Sequence, residues 1–298
     1  MTQRAHSLSL PHVLLAVAVM VVWGSNFVVI KMALTHMPPL LFATLRFALA
    51  FLPAAFFLKR PAVPWSSLIA YGVLIGGQFG LLYIAMGHSI SPGLASLVIQ
   101  TQVFFTIGLA MIATGERVAP FQWAALALAG AGLVVIIVHR GGDVSPLGLA
   151  LVLAAALSWA GGNIVGRSHP PGTNMLAYVV WASVFAVPPL LALSLIFEGW
   201  PAIAAGLRGA DALTWGALLY QSFGNSLFGY GAWAWLMARY PAATVSPFAL
   251  LVPVFGMATS ALAMNEPLQS WKLLAAALVM SGLALNLAWP RLRAALAI

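Results

Sequence analysis

Hydrophobic positions in this chain come in long unbroken runs rather than in the alternation of half-buried strands. Ten runs stand out, over 12–33, 39–58, 66–87, 93–113, 120–138, 146–166, 175–197, 212–238, 241–264 and 270–289. Each is close to the roughly 20 residues that a helix needs to cross a bilayer core. Turn-forming punctuation separates them: Pro38-Pro39, Lys59-Arg60-Pro61, Ser91-Pro92-Gly93, Arg140-Gly141-Gly142, His169-Pro170-Pro171-Gly172 and Arg239-Tyr240-Pro241. A membrane β-barrel would show alternation instead, and is disfavoured. The first run continues through Trp23-Gly24-Ser25-Asn26-Phe27 without a cleavage-like end, so it reads as a retained helix rather than a signal peptide. The pattern predicts an all-α integral membrane protein with ten transmembrane helices.

Composition narrows this further. Of 298 residues, 62% are hydrophobic and 6% charged, with a mean hydropathy of +1.01. A soluble domain carries about a quarter charged residues, so a water-exposed surface of this size is excluded. No cysteine is present, which removes disulfides, thiolate catalysis and Cys-based metal sites. The net charge of +8 does not indicate nucleic acid, because the longest basic run is Lys59-Arg60. It sets orientation instead. With both termini in the cytoplasm, the cytoplasmic segments hold Arg4, Lys59, Arg60, Arg117, Arg167, Arg239, Arg291 and Arg293. The opposite side holds only Lys31, Arg140, Arg208 and Lys272, in keeping with the positive-inside rule. Attraction to anionic lipid headgroups is a compatible second use of the same charge.

The two halves are weakly self-similar. Gly115-Glu116-Arg117, followed by Ala124 to Gly132-Leu133, is echoed by Asn265-Glu266-Pro267, followed by Leu274 to Gly282-Leu283. Trp23 through Lys31 loosely matches Trp159 through Arg167. Residues 1–143 and 144–298 thus read as two five-helix repeats. An odd number of spans inverts the second against the first, the arrangement of alternating-access carriers built around a central cavity. Chance likeness between Leu- and Ala-rich segments is the competing explanation.

Together these features resemble the drug/metabolite transporter superfamily, in its ten-helix EamA-type branch. The match is carried by Trp23-Gly24-Ser25-Asn26, Pro38-Pro39 to Arg46, Gly115-Glu116, and Val245-Ser246 through Pro253-Val254 to Asn265-Glu266-Pro267. The second Gly-Glu of the family pattern is Asn265-Glu266 here, which implies an adjusted turn. The resemblance implies a bacterial inner-membrane exporter of amino acids, aromatic ones included, or of other amphipathic metabolites. It implies no cofactor, and a monomer is compatible with it.

Polar groups in hydrocarbon are costly unless partnered or lining water. The candidates for substrate contact are amides and rings: Asn26, Gln78, Tyr83, Gln100, Trp159, Asn163, Trp181, Gln221 and Asn225. Trp159 and Asn163 share a helix face, as do Gln221 and Asn225, through four-residue spacing. A pocket of this kind suits a zwitterion with a flat apolar side chain: amides for its ends, rings for its body. Ties between helices and interfacial anchoring are the competing roles, and they weigh most on Trp233 and Trp235 beside Arg239. Arg46 is the ionised group placed well inside a span. It reads either as a carboxylate attractor or gate, or as a structural tie to helix C-terminal carbonyls. Glu116 and Glu266 read as caps or tethers for the next helix. Gly72, Gly76 and Gly80, like Ser158, Gly162 and Gly166, permit close helix packing, and Pro188-Pro189 and Pro253 are candidate kinks.

No intramembrane Asp pair, Ser/His pair or His-rich ligand set is present, which argues against an enzyme and against a metal site. The acids Glu116, Asp143, Glu198, Asp211 and Glu266 all fall in loops or at span ends, which predicts downhill export or exchange without tight proton coupling. Proton exchange by a broad-range exporter, and an open path in a channel or lipid scramblase, remain alternatives.

Overall fold

The computed structural model describes residues 9–295, apart from 89, 115–119, 140–143, 168–171 and 241–244. Ten helical spans cross the molecule, and the described residues contain no strand, only a single bridge between Ile90 and Val144. The spans are Leu10–Ala33, Pro39–Ala55, Trp65–His88, 92–114, Pro120–Val138, Pro146–Arg167, Met175–Leu193 with its continuation, 212–239, 246–264 and Ser270–Ala295. Leu, Ala and Val supply length and apolarity, while proline at the first or second position starts several helices where its missing N–H costs nothing. Large apolar side chains such as Ile112, Leu262 and Phe57 point outward, as they do in a protein whose solvent is lipid.

Local deviations refine the sequence reading. The seventh span does not stop at 197. A π-helical turn over Ser194–Glu198 leads into a further helix, Gly199–Gly209, with Gly199 at φ 78°. Pro188 and Pro189 lie inside the preceding helix, so the irregular turn falls five residues beyond the predicted kink. Pro253 sits in the first turn of Leu251–Met264, where proline is tolerated, and the distortion is the 3₁₀ segment Ser246–Leu250 before it. The fourth span is interrupted by a 3₁₀ turn at Ile99–Thr101, and the eighth is π-helical over Tyr220–Gly229. Such segments concentrate at functional sites.

Packing explains the small-residue runs. A side chain at Gly72, Gly76 or Gly80 would meet Ala182, Ala186 or Leu190 of the seventh span, and one at Gly162 would meet Ile75 of the third. Gly132 and Gly282, the pair matched between the halves, stand at the crossing of the fifth and tenth spans. Gly132 is pressed against Ala275 and Val279, and Gly282 against Ala125 and Ala129. The first span packs on the eighth and ninth, the second on the seventh, the third on the sixth and seventh, and the fourth on the sixth and ninth.

Three polar ties hold the ends of this bundle. Glu198 reaches the N-terminus of the second span, accepting from the amides of Leu40 (2.6 Å) and Leu41 (3.0 Å) and from the Ser194 hydroxyl. Glu266 does the same for the fourth span, accepting from the Gly93 amide at 3.0 Å. The orphan donors of a helix N-terminus are thereby satisfied by a carboxylate from a distant span. Lys31 donates to the carbonyls of Met86 (2.8 Å) and Gly87 (3.2 Å), close to the C-terminus of the third span. The carbonyl tie considered for Arg46 is thus made by Lys31.

Candidate functional site

A cavity of about 320 Å³ opens between the first, third, fourth, sixth, eighth and ninth spans. Its polar lining consists of Asn26, Gln78, Gln100, Gln102, Asn163 and Asn225, and its rings are those of Trp23, Phe27, Tyr71, Phe79, Trp159, Tyr230 and Trp233. The volume falls in the range of small-molecule sites. Of the residues proposed from sequence, Asn26, Gln78, Gln100, Trp159, Asn163 and Asn225 meet here.

Two of these amides, Gln100 and Asn225, stand on irregular backbone. Gln100 lies in the 3₁₀ turn of the fourth span, and its Nε2 donates to the Ala249 carbonyl at 3.4 Å, in the 3₁₀ segment of the ninth. Asn163 donates to Oε1 of Gln102 at 2.8 Å and to the Thr106 hydroxyl at 3.2 Å, tying the sixth span to the fourth. In the π-helical stretch of the eighth span, the Asn225 carbonyl accepts from the Trp23 indole at 3.3 Å. Gly229 leaves room for that indole, since a Cβ there would collide with it.

Tyr83 and Gln221 do not line the cavity. They form a buried chain behind it with Arg46. The Arg46 guanidinium donates through Nη1 to the Tyr83 hydroxyl (2.9 Å) and through Nη2 to that of Ser226 (3.3 Å). The Tyr83 hydroxyl donates to Oε1 of Gln221 at 3.3 Å, and that same oxygen accepts from Nδ2 of Asn225 on the cavity wall. Nε2 of Gln221 reaches the Asn26 carbonyl at 3.4 Å. Arg46 is fully buried, and its guanidinium carbon lies 3.5 Å from the centre of the Phe79 ring. Its side chain therefore ties to hydroxyls and a ring rather than to helix carbonyls.

Trp181 belongs elsewhere. Its indole donates to the Leu58 carbonyl at 2.8 Å and packs edge-on against Phe51, away from the cavity. Glu266 lies outside the cavity too. It accepts from the hydroxyls of Ser91 and Ser260, the Gly93 amide and the Lys272 ammonium (3.0 Å). It therefore tethers the fourth, ninth and tenth spans together, more than the next helix alone. Burial pushes the Glu266 carboxyl up, but the hydrogen bonds from Ser260, Ser91, Lys272 and Gly93 outweigh it and hold the group below the usual carboxylate range. Asn265 before it adopts the left-handed conformation at φ 52°. Asparagine tolerates this better than most residues, which explains how Asn265-Glu266 can stand where Gly-Glu is expected. Glu116 lies outside the described residues.

Reasoning from sequence misses Trp23 as a cavity residue, and offers Gln102 and Trp233 only among the lesser candidates. The anchor role weighs most on Trp233 from its position beside Arg239, yet it lines the cavity and packs against Trp23 at 5.5 Å between ring centres. The shared spacing of Trp23 and Trp159 before matched segments was the available signal for Trp23. A second hollow of about 430 Å³, between the fourth, fifth and sixth spans, is lined almost wholly by apolar side chains and includes the highly exposed Ile112, as expected of a lipid-facing groove.

Ten apolar helices around a cavity of amides and rings define a membrane transporter of small molecules. The family is shown by sequence: the chain matches the EamA-like transporter family over residues 10–138 and again over 146–288, and it belongs to that family. It is accordingly a transporter and not an enzyme. It is 44% identical over 285 residues to a "Probable amino-acid metabolite efflux pump" of Salmonella typhimurium, covering 94% of this chain and 95% of that protein. A protein described in the same words from Escherichia coli is 43% identical over 278 residues, with 91% and 93% covered. A solved crystal structure aligns with a TM-score of 0.62 at 18% identity, over 93% of this chain and 96% of its own, a likeness of fold alone.

Proposed function

We propose that this protein is a bacterial inner-membrane carrier that exports small amphipathic metabolites, amino acids including aromatic ones first among them, by alternating access. The observation that carries this reading is the central cavity: six amide side chains and a wall of aromatic rings, reached from six spans. Rings offer an apolar face to a flat side chain, and amides both donate to and accept from its polar ends. The relatives described as amino-acid metabolite efflux pumps support the same substrate class and direction.

Alternating access follows if residues 1–143 and 144–298 are inverted repeats. Two matches of one family model support this, as does the composition of the cavity wall, where the first, third and fourth spans face the sixth, eighth and ninth. Each of the first three is the counterpart of one of the second three under a five-span shift, so rocking one set against the other would open the cavity to alternate sides. Both termini then lie in the cytoplasm, as the basic loops favour. The described lining holds no carboxylate and no histidine, which supports transport without tight proton coupling.

Counterflow in proteoliposomes tests the reading. Saturable, competed transport of amino acids is expected, reduced at least about tenfold in Trp159→Ala and Gln78→Ala, in the range set by losing a substrate hydrogen bond or ring contact. Conductance without saturation would indicate a channel instead. Uphill amino-acid accumulation driven by a pH gradient alone would overturn the absence of proton coupling.

A further inference from the structure

Among the described residues, three buried side-chain polar atoms have no hydrogen-bond partner: Oδ1 of Asn26, Nε of Arg46 and Oε1 of Gln78. All three lie at the central cavity or against its wall. Asn26 and Gln78 line it while only 4% and 3% exposed. Arg46 borders a small void of about 10 Å³, whose wall of Tyr71, Phe79 and Tyr230 is shared with the cavity. Buried polar atoms are ordinarily paired, because an orphan forfeits its contacts with water and gains nothing. Two orphans on the lining of the cavity and a third behind a wall it shares point to a ligand that completes them.

Their chemistry is complementary to one kind of ligand. Two are neutral acceptors and the third is a donor on a cation. Arg46 has only neutral partners in Tyr83 and Ser226. A buried cation held by two hydroxyls and aromatic rings, without an anion among these partners, is costly unless an anion joins it at some stage of the cycle. We infer that the cavity recognises the free α-amino acid zwitterion by both ends. The ammonium donates to Oδ1 of Asn26 and Oε1 of Gln78, and the carboxylate accepts from Nε of Arg46. This rests on the proposed amino-acid reading and makes it specific: amines and simple carboxylic acids satisfy only part of the set, and an amino-acid amide offers Arg46 a neutral acceptor in place of an anion.

In this conformation the two ends are not equally accessible. The void beside Arg46 has room for about one water molecule, and the guanidinium carbon lies 3.5 Å from the centre of the Phe79 ring. A carboxylate reaches Nε only when the wall of Phe79 and Tyr230 gives way, whereas Asn26 and Gln78 belong to the lining of the cavity itself, with their unpaired oxygens buried in its wall. A ligand bearing a carboxylate therefore gains in the displaced state a contact that a neutral one does not. That differential affinity is what shifts a conformational equilibrium.

The test is proteoliposome transport of phenylalanine, phenylalaninamide and 3-phenylpropionate, with binding followed by thermal shift. The wild type is expected to prefer phenylalanine to either analogue by at least about tenfold, as for a lost hydrogen bond to a charged group. Arg46→Gln is expected to abolish the preference over phenylalaninamide while keeping that over 3-phenylpropionate. Asn26→Leu combined with Gln78→Leu is expected to do the reverse. Arg46→Lys, which keeps the charge, should retain the preference over the amide with weaker binding, and it serves as the second variant should Arg46→Gln not fold. Wild-type protein that handles all three alike, or variants that lower all three equally, overturn the inference while leaving the amino-acid reading intact. Saturable export of another compound with no amino acid transported overturns the reading beneath it.

Discussion

Two buried charges in this protein are housed in opposite ways. Glu266 accepts from two hydroxyls, one amide and one ammonium, so its carboxylate is saturated. Arg46 has two neutral hydroxyl partners, a ring beneath it and a nitrogen with no partner. The first arrangement locks three spans together at one end of the bundle. The second stands behind the wall of the cavity with hydrogen-bonding capacity to spare. Where a fold needs only rigidity, a buried charge is fully compensated. Spare capacity belongs beside the place where a ligand arrives.

The sharpest way to break this contrast is Glu266→Gln, which leaves the buried Lys272 ammonium without its carboxylate. A loss of about 3–5 kcal/mol is expected, as for breaking a buried pair by removing one partner, read as a large fall in melting temperature in detergent. Acidification should approach the same result in the wild type. The Glu266 carboxyl is held below its ordinary range in the folded protein. Its contribution is therefore complete above the ordinary glutamate value of about 4.3 and fades as pH falls through the lowered folded value. A melting curve measured against pH should show this fall, and the Glu266→Gln variant should lack that component.

Tyr83→Phe probes the other charge by removing the 2.9 Å partner of Nη1. A cost of about 1.5–3 kcal/mol is expected from losing a hydrogen bond to a charged group. Because Tyr83 also bonds Gln221, which holds Asn225 on the cavity wall, transport should fall as well as stability. An effect on stability alone would place Arg46 with Glu266 as structural. The smallest effect belongs to Trp181→Phe. It forfeits one bond to the Leu58 carbonyl, about 1 kcal/mol, and should leave amino-acid selectivity unchanged in the proteoliposome assay.

Trp181 and Trp233 show where sequence reasoning reached its end. Both are tryptophans on apolar helices, Trp181 in the second turn after Met175 and Trp233 in the second turn before Arg239. The neighbouring Arg239 marks Trp233 as the anchor, yet the tertiary structure turns Trp233 into the cavity and Trp181 toward the loop carbonyl of Leu58. Linear position carries depth in the membrane but not rotation about the helix axis, and rotation is set by packing against neighbours. The 3₁₀ turn at Ile99–Thr101 and the π-helical stretch at Tyr220–Gly229 alter that rotation mid-span. Neither contains a proline, so no local signal announces them.

What the sequence by itself determined was the solvent and the architecture. Runs of about twenty apolar residues with 6% charged residues leave a ten-helix membrane protein as the consistent answer, because bilayer thickness and the cost of burying charge act on every residue regardless of its neighbours. Which polar side chains meet was decided only in three dimensions. Asn26, Gln78 and Arg46 lie on three different helices, and the one unpaired atom on each becomes visible once those helices pack. Hydrogen bonds are short-ranged and directional, so their satisfaction is a property of the assembled bundle and not of any one span.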